Sequence, residues 1–411
     1  MAKKSIDDIT VRGKRVLVRL DLNVPLNDRG RITDDRRIRE ALPTVRRLLK
    51  DGGRLILISH LGRPTGNAAE DAEFTLRPVA LRLTESLNRD VVFVDATVGD
   101  EVRRAVDGLT DGSCCLLENL RFHPAETIAD KKAAKDGALR KEKDAFAAGL
   151  ADLADAYVND AFGTCHRDNA SMLTVPQRMA GRPRVVGYLV QKELRFLGDA
   201  LRTPKRPFVA ILGGAKVSDK VGAIEALLGK CDTILIGGAM AYTFAAATGH
   251  GVGDSLVEPD RYELARSLLE RAGGKLRLPT DSVVAKEIVR GAATQVCTGD
   301  IPSGMKGLDI GPATIKDYAA VLHDAGTIVW NGPMGVFETP PFEVGTMAMA
   351  RAVADATDRG AVSIVGGGDS ASAVEVAGVA ERVTHVSTGG GASLEFLEGK
   401  PFAAIDVLDD A

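Results

Sequence analysis

The sequence predicts an α/β protein made of two doubly wound, Rossmann-like parallel-sheet domains joined by a connecting helix. Three observations predict it. Short β-branched runs alternate with longer helical patterns along the chain, as βαβ units require. The 411 residues exceed one core of ordinary size, so two domains are expected. Runs such as ILIGG and FVAILGG are continuously apolar, as strands buried on both faces of a parallel sheet must be.

The elements follow from these patterns in order. Strands are expected at 15–22, 54–59, 91–95, 115–118 and 156–160 in the first half. The second half offers 207–212, 233–236, 280–284, 327–330, 361–365 and 384–387. Between them lie helical patterns such as RIREALPTVRRLLKDGG, closed by a glycine stop. RPRVVGYLVQKELRFLGDAL has no Pro or Gly between Gly187 and Gly198 and reads as helix. It separates the two strand series, so 186–200 is the expected connection and 1–185 and 186–395 the expected domains. TIADKKAAKDGALRKEKDAFAAG is charged and alanine-rich, and reads as a solvated helix or surface insertion.

Composition narrows the function. Apolar content of 45% with 27% charge is ordinary for a soluble globular protein. A net charge of −3 argues against a general nucleic-acid binder. No apolar run reaches the ~18 residues of a membrane helix. MAKKSIDD carries two lysines with no apolar stretch behind them, so no secretory leader is expected. The five scattered cysteines contain no CxxC pair and read as free thiols rather than a zinc site.

Four first-half runs end in similar polar clusters. These are Arg19, Asp21 and Asn23; His60 and Arg63; Asn119, Arg121 and His123; and Asn159, Asp160, His166 and Arg167. Open α/β sheets bind ligands beyond the carboxyl ends of their strands, so residues distant in sequence converge there. A guanidinium fork suits phosphate because it donates two parallel charge-assisted hydrogen bonds. Any one such arginine reads equally as solvated surface charge; the repetition favours a site. Arg37 opens a helical pattern, and composition alone gives no reason to single it out.

Second-half runs end instead in glycines. Gly213, Gly214 and Lys216 lie in GGAKVSDKVGAIEALL, which is not a Walker A loop, although bare amides at a helix start favour an anion. Lys216 and Lys220 are four apart, which on a helix places them on one face, either around an anion or as a solvated pair. Gly366, Gly367, Gly368, Asp369 and Ser370 form a second strand-to-helix turn. Asp369 reads as an N-cap or a Mg²⁺ ligand. Gly389, Gly390 and Gly391 form a third turn, and WNGPMGVFE supplies Asn331, Pro333 and Glu338. The asymmetry suggests a small anion held opposite a phosphate-rich nucleotide.

The strings VRLDLNVP, SHLGRP, ENLRFH, NDAFGT, GGAKVSDK, WNGPMGVFE and GGGDS, in this order, resemble phosphoglycerate kinases along nearly the whole chain. The resemblance implies reversible phosphoryl transfer from 1,3-bisphosphoglycerate to ADP, giving 3-phosphoglycerate and ATP. It places Asp21, Asn23, Arg37, His60, Arg63, Arg121 and Arg167 on the glycerate. Arg37 and Lys216 fall on the transferring phosphoryl, and Lys220 near the nucleotide phosphates. The nucleotide site would comprise Gly213, Gly214, Lys216, Lys220, Gly237, Gly238, Gly311, Asn331, Pro333, Val336, Glu338, Gly367, Gly368, Asp369 and Ser370. Asp369 would hold Mg²⁺, and Gly390 and Gly391 would present amides to the reacting group. Glu193 and His385 would meet across a hinge that closes the domains, and the tail 396–411 would return to the first domain. A cytoplasmic monomer with small-molecule partners, and no nucleic acid or membrane, completes the implied picture.

The chemistry agrees with the residues present. An acceptor carboxylate with a pKa near ~3.5 is ionised at neutral pH, so no general base is required. Catalysis reduces to alignment and charge neutralisation in a site that excludes water. Two alternatives are weaker. An NAD-dependent dehydrogenase lacks its G-x-G-x-x-G with an acid ~20 residues on. A non-catalytic nucleotide or phospho-metabolite sensor would not require Arg37, Lys216 and Asp369 together. The chain departs from the family pattern in four places, one of them the segment 127–143, which is longer than usual and has no assigned role. Asp168 and Asn169 follow His166-Arg167 where a second histidine is common, Ser370 stands where threonine is frequent, and the end reads PFAAIDVLDDA.

Overall fold

The computed structural model describes residues 2–411, apart from the side chains of residues 68 and 69. The chain packs as two compact units, Met1–Leu194 with Pro401–Ala411, and Arg195–Lys400.

The first unit is built on a six-stranded sheet in the order β3-β4-β2-β1-β5-β6. Its strands are β1 (Arg15–Leu20), β2 (Arg54–Ile58), β3 (Val91–Val94), β4 (Cys114–Leu117), β5 (Ala156–Asp160) and β6 (Arg184–Val186), and every pairing is parallel. β1 lies between β2 and β5, with Arg19 opposite both Ile58 and Asn159. Helix Arg36–Lys50 buries Ile38, Ala41, Leu42, Val45, Leu48 and Leu49 against this sheet's core, the apolar stripe of a 3.6-residue period. The C-terminal tail belongs to the same unit. Arg184 donates to Asp409 from Nε at 3.2 Å and Nη2 at 2.9 Å, Lys3 pairs with Asp410 at 2.8 Å, and Phe402 is buried near Phe162.

The second unit repeats the plan with the order β15-β14-β13-β7-β8-β9. Here β7 (Phe208–Leu212), β8 (Thr233–Ile236), β9 (Leu276–Arg277), β13 (Thr327–Asn331), β14 (Val362–Gly366) and β15 (His385–Val386) pair in parallel. Fully buried Trp330 anchors the core, and its Nε1 donates to the Gly332 carbonyl at 2.7 Å.

Several expectations need correction. The 280–284 run does not join the parallel series. As β10 (Asp281–Ala285) it pairs antiparallel with β11 (Gln295–Thr298) and β12 (Lys306–Ile310) in a separate sheet. β11 escaped the sequence reading because QVCT is mostly exposed and has no apolar run; β12 contains Gly307 and Asp309. β6 and β9 are three and two residues long. The RVV read as helix is therefore strand, and the connecting helix spans Tyr188–Arg202. The charged 127–143 segment is not simply solvated. Helix Gly137–Ala151 buries Lys143, Phe146, Ala147, Leu150 and Ala151, and Lys143 Nζ reaches Asp130 at 2.8 Å and the Asp168 carbonyl at 2.6 Å.

Candidate active site

In the first unit the strand order reverses at β1, with β2 on one side and β5 on the other; crevices open at such switch points. The predicted polar residues lie just past these strand ends. Asp21 Oδ1 accepts from Arg37 Nη1 at 2.8 Å and from the Asn23 amide at 3.3 Å. Burial opposes the Asp21 charge, but the Arg37 guanidinium, with His60 and Arg19, outweighs it and holds the carboxyl below its usual range. Asn23 Oδ1 accepts the Gly62 amide at 2.8 Å. Gly62 has φ +61, and a Cβ there would sit 2.3 Å from the Phe74 ring, so the turn demands glycine. Arg121 donates from Nη1 to the Gly62 carbonyl at 2.6 Å. Its Nε is buried with no partner among the described residues.

His60 is buried, and desolvation pushes its pKa well below the histidine value; Asp21 opposes this, while Arg19, Arg121 and Arg37 add to it. Arg167 is exposed and lies close enough to Arg121 to interact electrostatically. Arg63 is exposed on the turn after Gly62. The structure thus gathers Asp21, Arg37, His60, Arg121 and Arg167 around one position, with Asn23 bracing the Gly62 turn beside it.

Other cluster members hold the scaffold. Asn119 Oδ1 accepts the Leu61 and Arg121 amides at 3.2 and 3.1 Å. His123 Nδ1 accepts the Ala125 amide at 3.2 Å, and its ring stacks on Phe146. Asn169 is nearly buried, and its carbonyl accepts the Met172 and Leu173 amides, so it starts the following helical turn. Asp160 caps the connecting helix through Leu189 and Val190. Sequence reasoning missed Glu126, Ser171 and the buried position of Arg19, discussed below.

In the second unit the order reverses between β7 and β13, and a cavity of 320 Å³ opens there. Its lining includes Gly213, Gly214, Asp219, Lys220, Asn331, Gly332, Pro333, Gly367, Gly368, Asp369, Ser370, Gly390 and Gly391. The loops meet backbone to backbone. A Cβ on Gly213 would lie 2.0 Å from the Pro333 carbonyl oxygen, and Gly214 donates its amide to that oxygen at 3.2 Å. Ser370 Oγ accepts the Gly332 amide at 2.6 Å, tying the β13 loop to helix Gly368–Val376. This helix opens on the cavity and turns its free amides and positive dipole end toward it.

Lys220 Nζ donates to Asn331 Oδ1. Burial pushes Lys220 below its ordinary value, while Asp219, Asp369 and Glu398 act the other way. Lys216 stands exposed on the turn and does not line the cavity. Both lysines precede helix Val221–Leu228, so they do not share a helical face as the spacing suggested. Gly237, Gly238, Gly311, Val336 and Glu338 also lie outside the lining. Gly238 donates to Met334 O at 2.8 Å, and a Cβ on Gly237 would meet the Met334 sulfur, so this pair packs the loops together. Gly311 packs on Asp281, and the Val336 amide bonds to the Leu308 carbonyl at 2.8 Å. Glu338 is exposed.

Asp219, which sequence reasoning did not single out, joins Asp369 on the cavity wall. Two carboxylates on the wall of this cavity fit Mg²⁺, which takes one or two carboxylates and completes its shell with phosphate oxygens and water. Among the described residues, no group of three or more His, Cys, Asp or Glu forms a metal cage. Among the described residues no helix is long and apolar enough to cross a membrane. Of the proposed hinge residues, Glu193 is buried on the connecting helix, and His385 is buried in β15 with its ring stacked on Phe196.

Comparison with known proteins agrees along the full length. The family profile described as phosphoglycerate kinase matches residues 6–400. The phosphoglycerate kinase of Rhodopirellula baltica is 55% identical and that of Chlorobium limicola 51%, each over 414 aligned positions and 100% of both chains. The solved structure of phosphoglycerate kinase from Coxiella burnetii superposes with a TM-score of 0.83 at 38% identity, covering 98% of each chain. That from Pyrococcus horikoshii OT3 also gives 0.83, at 30% identity over 99% of this chain and 98% of its own. A chain with these two parallel sheets, matched end to end at such identity, belongs to the phosphoglycerate kinase family.

Proposed function

We propose that this protein catalyses reversible, Mg²⁺-dependent phosphoryl transfer between 1,3-bisphosphoglycerate and ADP, yielding 3-phosphoglycerate and ATP. The observation that carries the reading is the pairing of two chemically different half-sites within one family chain. One is a basic cluster in which Arg37 and Arg121, both partly exposed, surround buried Asp21 and His60; the other is a glycine-walled cavity at a helix start.

The first unit binds the glycerate. Arg121, Arg167 and Arg63 neutralise its phosphate, Asp21 accepts from its hydroxyl, and Arg37, held by Asp21, faces the reacting carboxyl. The second unit binds the nucleotide. The Gly213 and Gly214 amides are taken up by the Asn331 and Pro333 carbonyls, so these glycines shape the wall, while the amides of Gly367 and Gly368 and the Lys220 ammonium receive the phosphates. Glu338 takes the ribose. Asp369, with Asp219 beside it, would hold Mg²⁺, which would supply charge neutralisation at the phosphates. The acceptor carboxylate is already ionised, so Arg37, Lys216 and the Gly390 and Gly391 amides need only align it and offset the developing charge. Because each unit holds one reactant, transfer requires a motion that brings the reactants together, with Glu193 and His385 as its proposed hinge residues.

A coupled assay with ATP, Mg²⁺ and 3-phosphoglycerate tests the function. ADP formation that needs all three supports it. Nucleotide binding without turnover would move the protein to the sensor class.

A further inference from the structure

Arg19 is almost completely buried in the first unit's crevice, only 1% exposed, and no step above uses it. All three of its nitrogens are engaged. Nε donates to Ser171 Oγ at 2.9 Å, Nη1 to the carbonyl of Leu20, and Nη2 lies 3.2 Å from His60 Nδ1. Ser171 is itself fixed. Its hydroxyl donates to Glu126 Oε1 at 2.6 Å, its amide to Glu126 Oε2 at 2.9 Å, and its carbonyl accepts from Tyr157 at 2.9 Å. Glu126, Ser171 and Tyr157 are fully buried. The guanidinium therefore sits in a rigid cradle, with one N–H aimed at the imidazole.

The polarity of this chain of bonds has only one solution. A guanidinium is always protonated and has no acceptor lone pair. Wherever Nη2 meets Nδ1, Arg19 is the donor and Nδ1 carries the lone pair. A histidine whose Nδ1 is an acceptor is neutral and holds its single hydrogen on Nε2. We propose that Arg19 is a positioning residue that locks His60 as the neutral Nε2–H tautomer, making it a one-way hydrogen-bond donor to the glycerate substrate. The role of His60 toward glycerate rests on the proposed function; the lock does not.

The charged groups facing His60 set the alternatives. Asp21 favours an imidazolium, while Arg37, Arg121 and Arg19 disfavour it. Among the described residues only Arg19 touches Nδ1, so Arg19 is the group that discriminates between the tautomers. A cationic or Nδ1–H imidazole would point a hydrogen at the guanidinium. A neutral Nε2–H donor fits a hydroxyl or carboxylate acceptor and cannot take a proton from the substrate while Nδ1 is occupied.

Long-range ¹H–¹⁵N correlation spectra of the full-length, histidine-labelled protein test this, with His60 assigned by the peaks missing in His60→Gln. The expected pattern is an unprotonated Nδ1 and a protonated Nε2 that persist between about pH 6 and 8, where a free histidine titrates. In Arg19→Met the lock is lost, so His60 shows mixed tautomers and titrates at higher pH. The KM for 3-phosphoglycerate rises about tenfold with a smaller change in kcat, the loss expected for one misdirected hydrogen bond. Arg19→Lys, which keeps a donor, restores part of the Nε2–H signature. A protonated Nδ1 in the unliganded wild type overturns the proposal whatever the protein binds, and needs no variant to fold. A lock present as described, with a His60 Nε2 resonance unmoved by saturating 3-phosphoglycerate, supports the lock and overturns His60 as a substrate contact.

Discussion

Asp160→Asn probes the electrostatics of the joint between the first sheet and the connecting helix. Asp160 ends β5, is fully buried, and accepts through Oδ1 the amides of Leu189 at 2.8 Å and Val190 at 3.1 Å. Burial pushes its carboxyl up to about 7, although Thr44 and the two amides favour the charged form. In the unfolded chain the same group titrates near ~3.9. Between these values the folded state holds a proton that the unfolded state lacks, so stability falls as pH rises through the window. At about 1.4 kcal/mol per pH unit and one proton, the loss from pH 5 to pH 8 is about 3 kcal/mol. Asparagine keeps an oxygen for both amides and does not titrate. The variant should therefore lose about 3 kcal/mol less than the wild type across that range. Asp309, also pushed up to about 7, titrates in both proteins and cancels in the difference. Urea denaturation at several pH values, read by hydrogen exchange in β1, β2 and β5 peptides, follows the first unit by itself. Parallel pH curves for the two proteins would refute the reasoning.

Three further predictions address the half-sites. Gly213→Ala places a methyl 2.0 Å from the Pro333 oxygen and forces the β7 and β13 loops apart, an overpacking cost of about 1–3 kcal/mol. Calorimetry should find ADP affinity reduced at least about tenfold, and wild-type affinity would contradict the backbone-contact account. Lys216→Ala should lower kcat by about 100-fold while hardly weakening 3-phosphoglycerate binding; equal losses in both would remove its assigned role. Arg63→Ala should raise the KM for the glycerate about tenfold and leave that for nucleotide unchanged, and the reverse pattern would undo the division into two half-sites.

What the sequence made legible follows burial. β1, β2, β5, β7, β8, β13 and β14 are almost wholly buried, so their apolar runs are continuous and their ends easy to locate. The polar residues just beyond those ends were easy to locate for the same reason. β11 is solvent-exposed and β9 is two residues long, so neither carries a periodic signal. Lys143 sat in a segment whose charge read as solvated, yet its stem and ammonium are enclosed, because Asp130 and the Asp168 carbonyl satisfy it. Arg37 carries no compositional signal, since its contact with Asp21 spans 16 positions of sequence. Arg19 did carry one: an arginine inside the unbroken run VLVRL, flanked by buried strands, has nowhere to go unless partners await it. Asp160, read with its neighbours as part of an anion site, proved to be a helix cap, a distinction that only the path of the chain after Gly187 supplies.

Trapping the acyl phosphate tests the central claim most directly. With ATP, Mg²⁺ and 3-phosphoglycerate in the presence of hydroxylamine, the product carboxyl phosphate is intercepted as its hydroxamate with release of phosphate. The account predicts hydroxamate and ADP in equal amounts, neither forming without 3-phosphoglycerate, and both forming at least about 100-fold more slowly in chains lacking Arg37 or Lys216. ADP released without hydroxamate would mean hydrolysis rather than transfer to the carboxyl. It would contradict the assignment of the basic crevice as the acceptor half of the site.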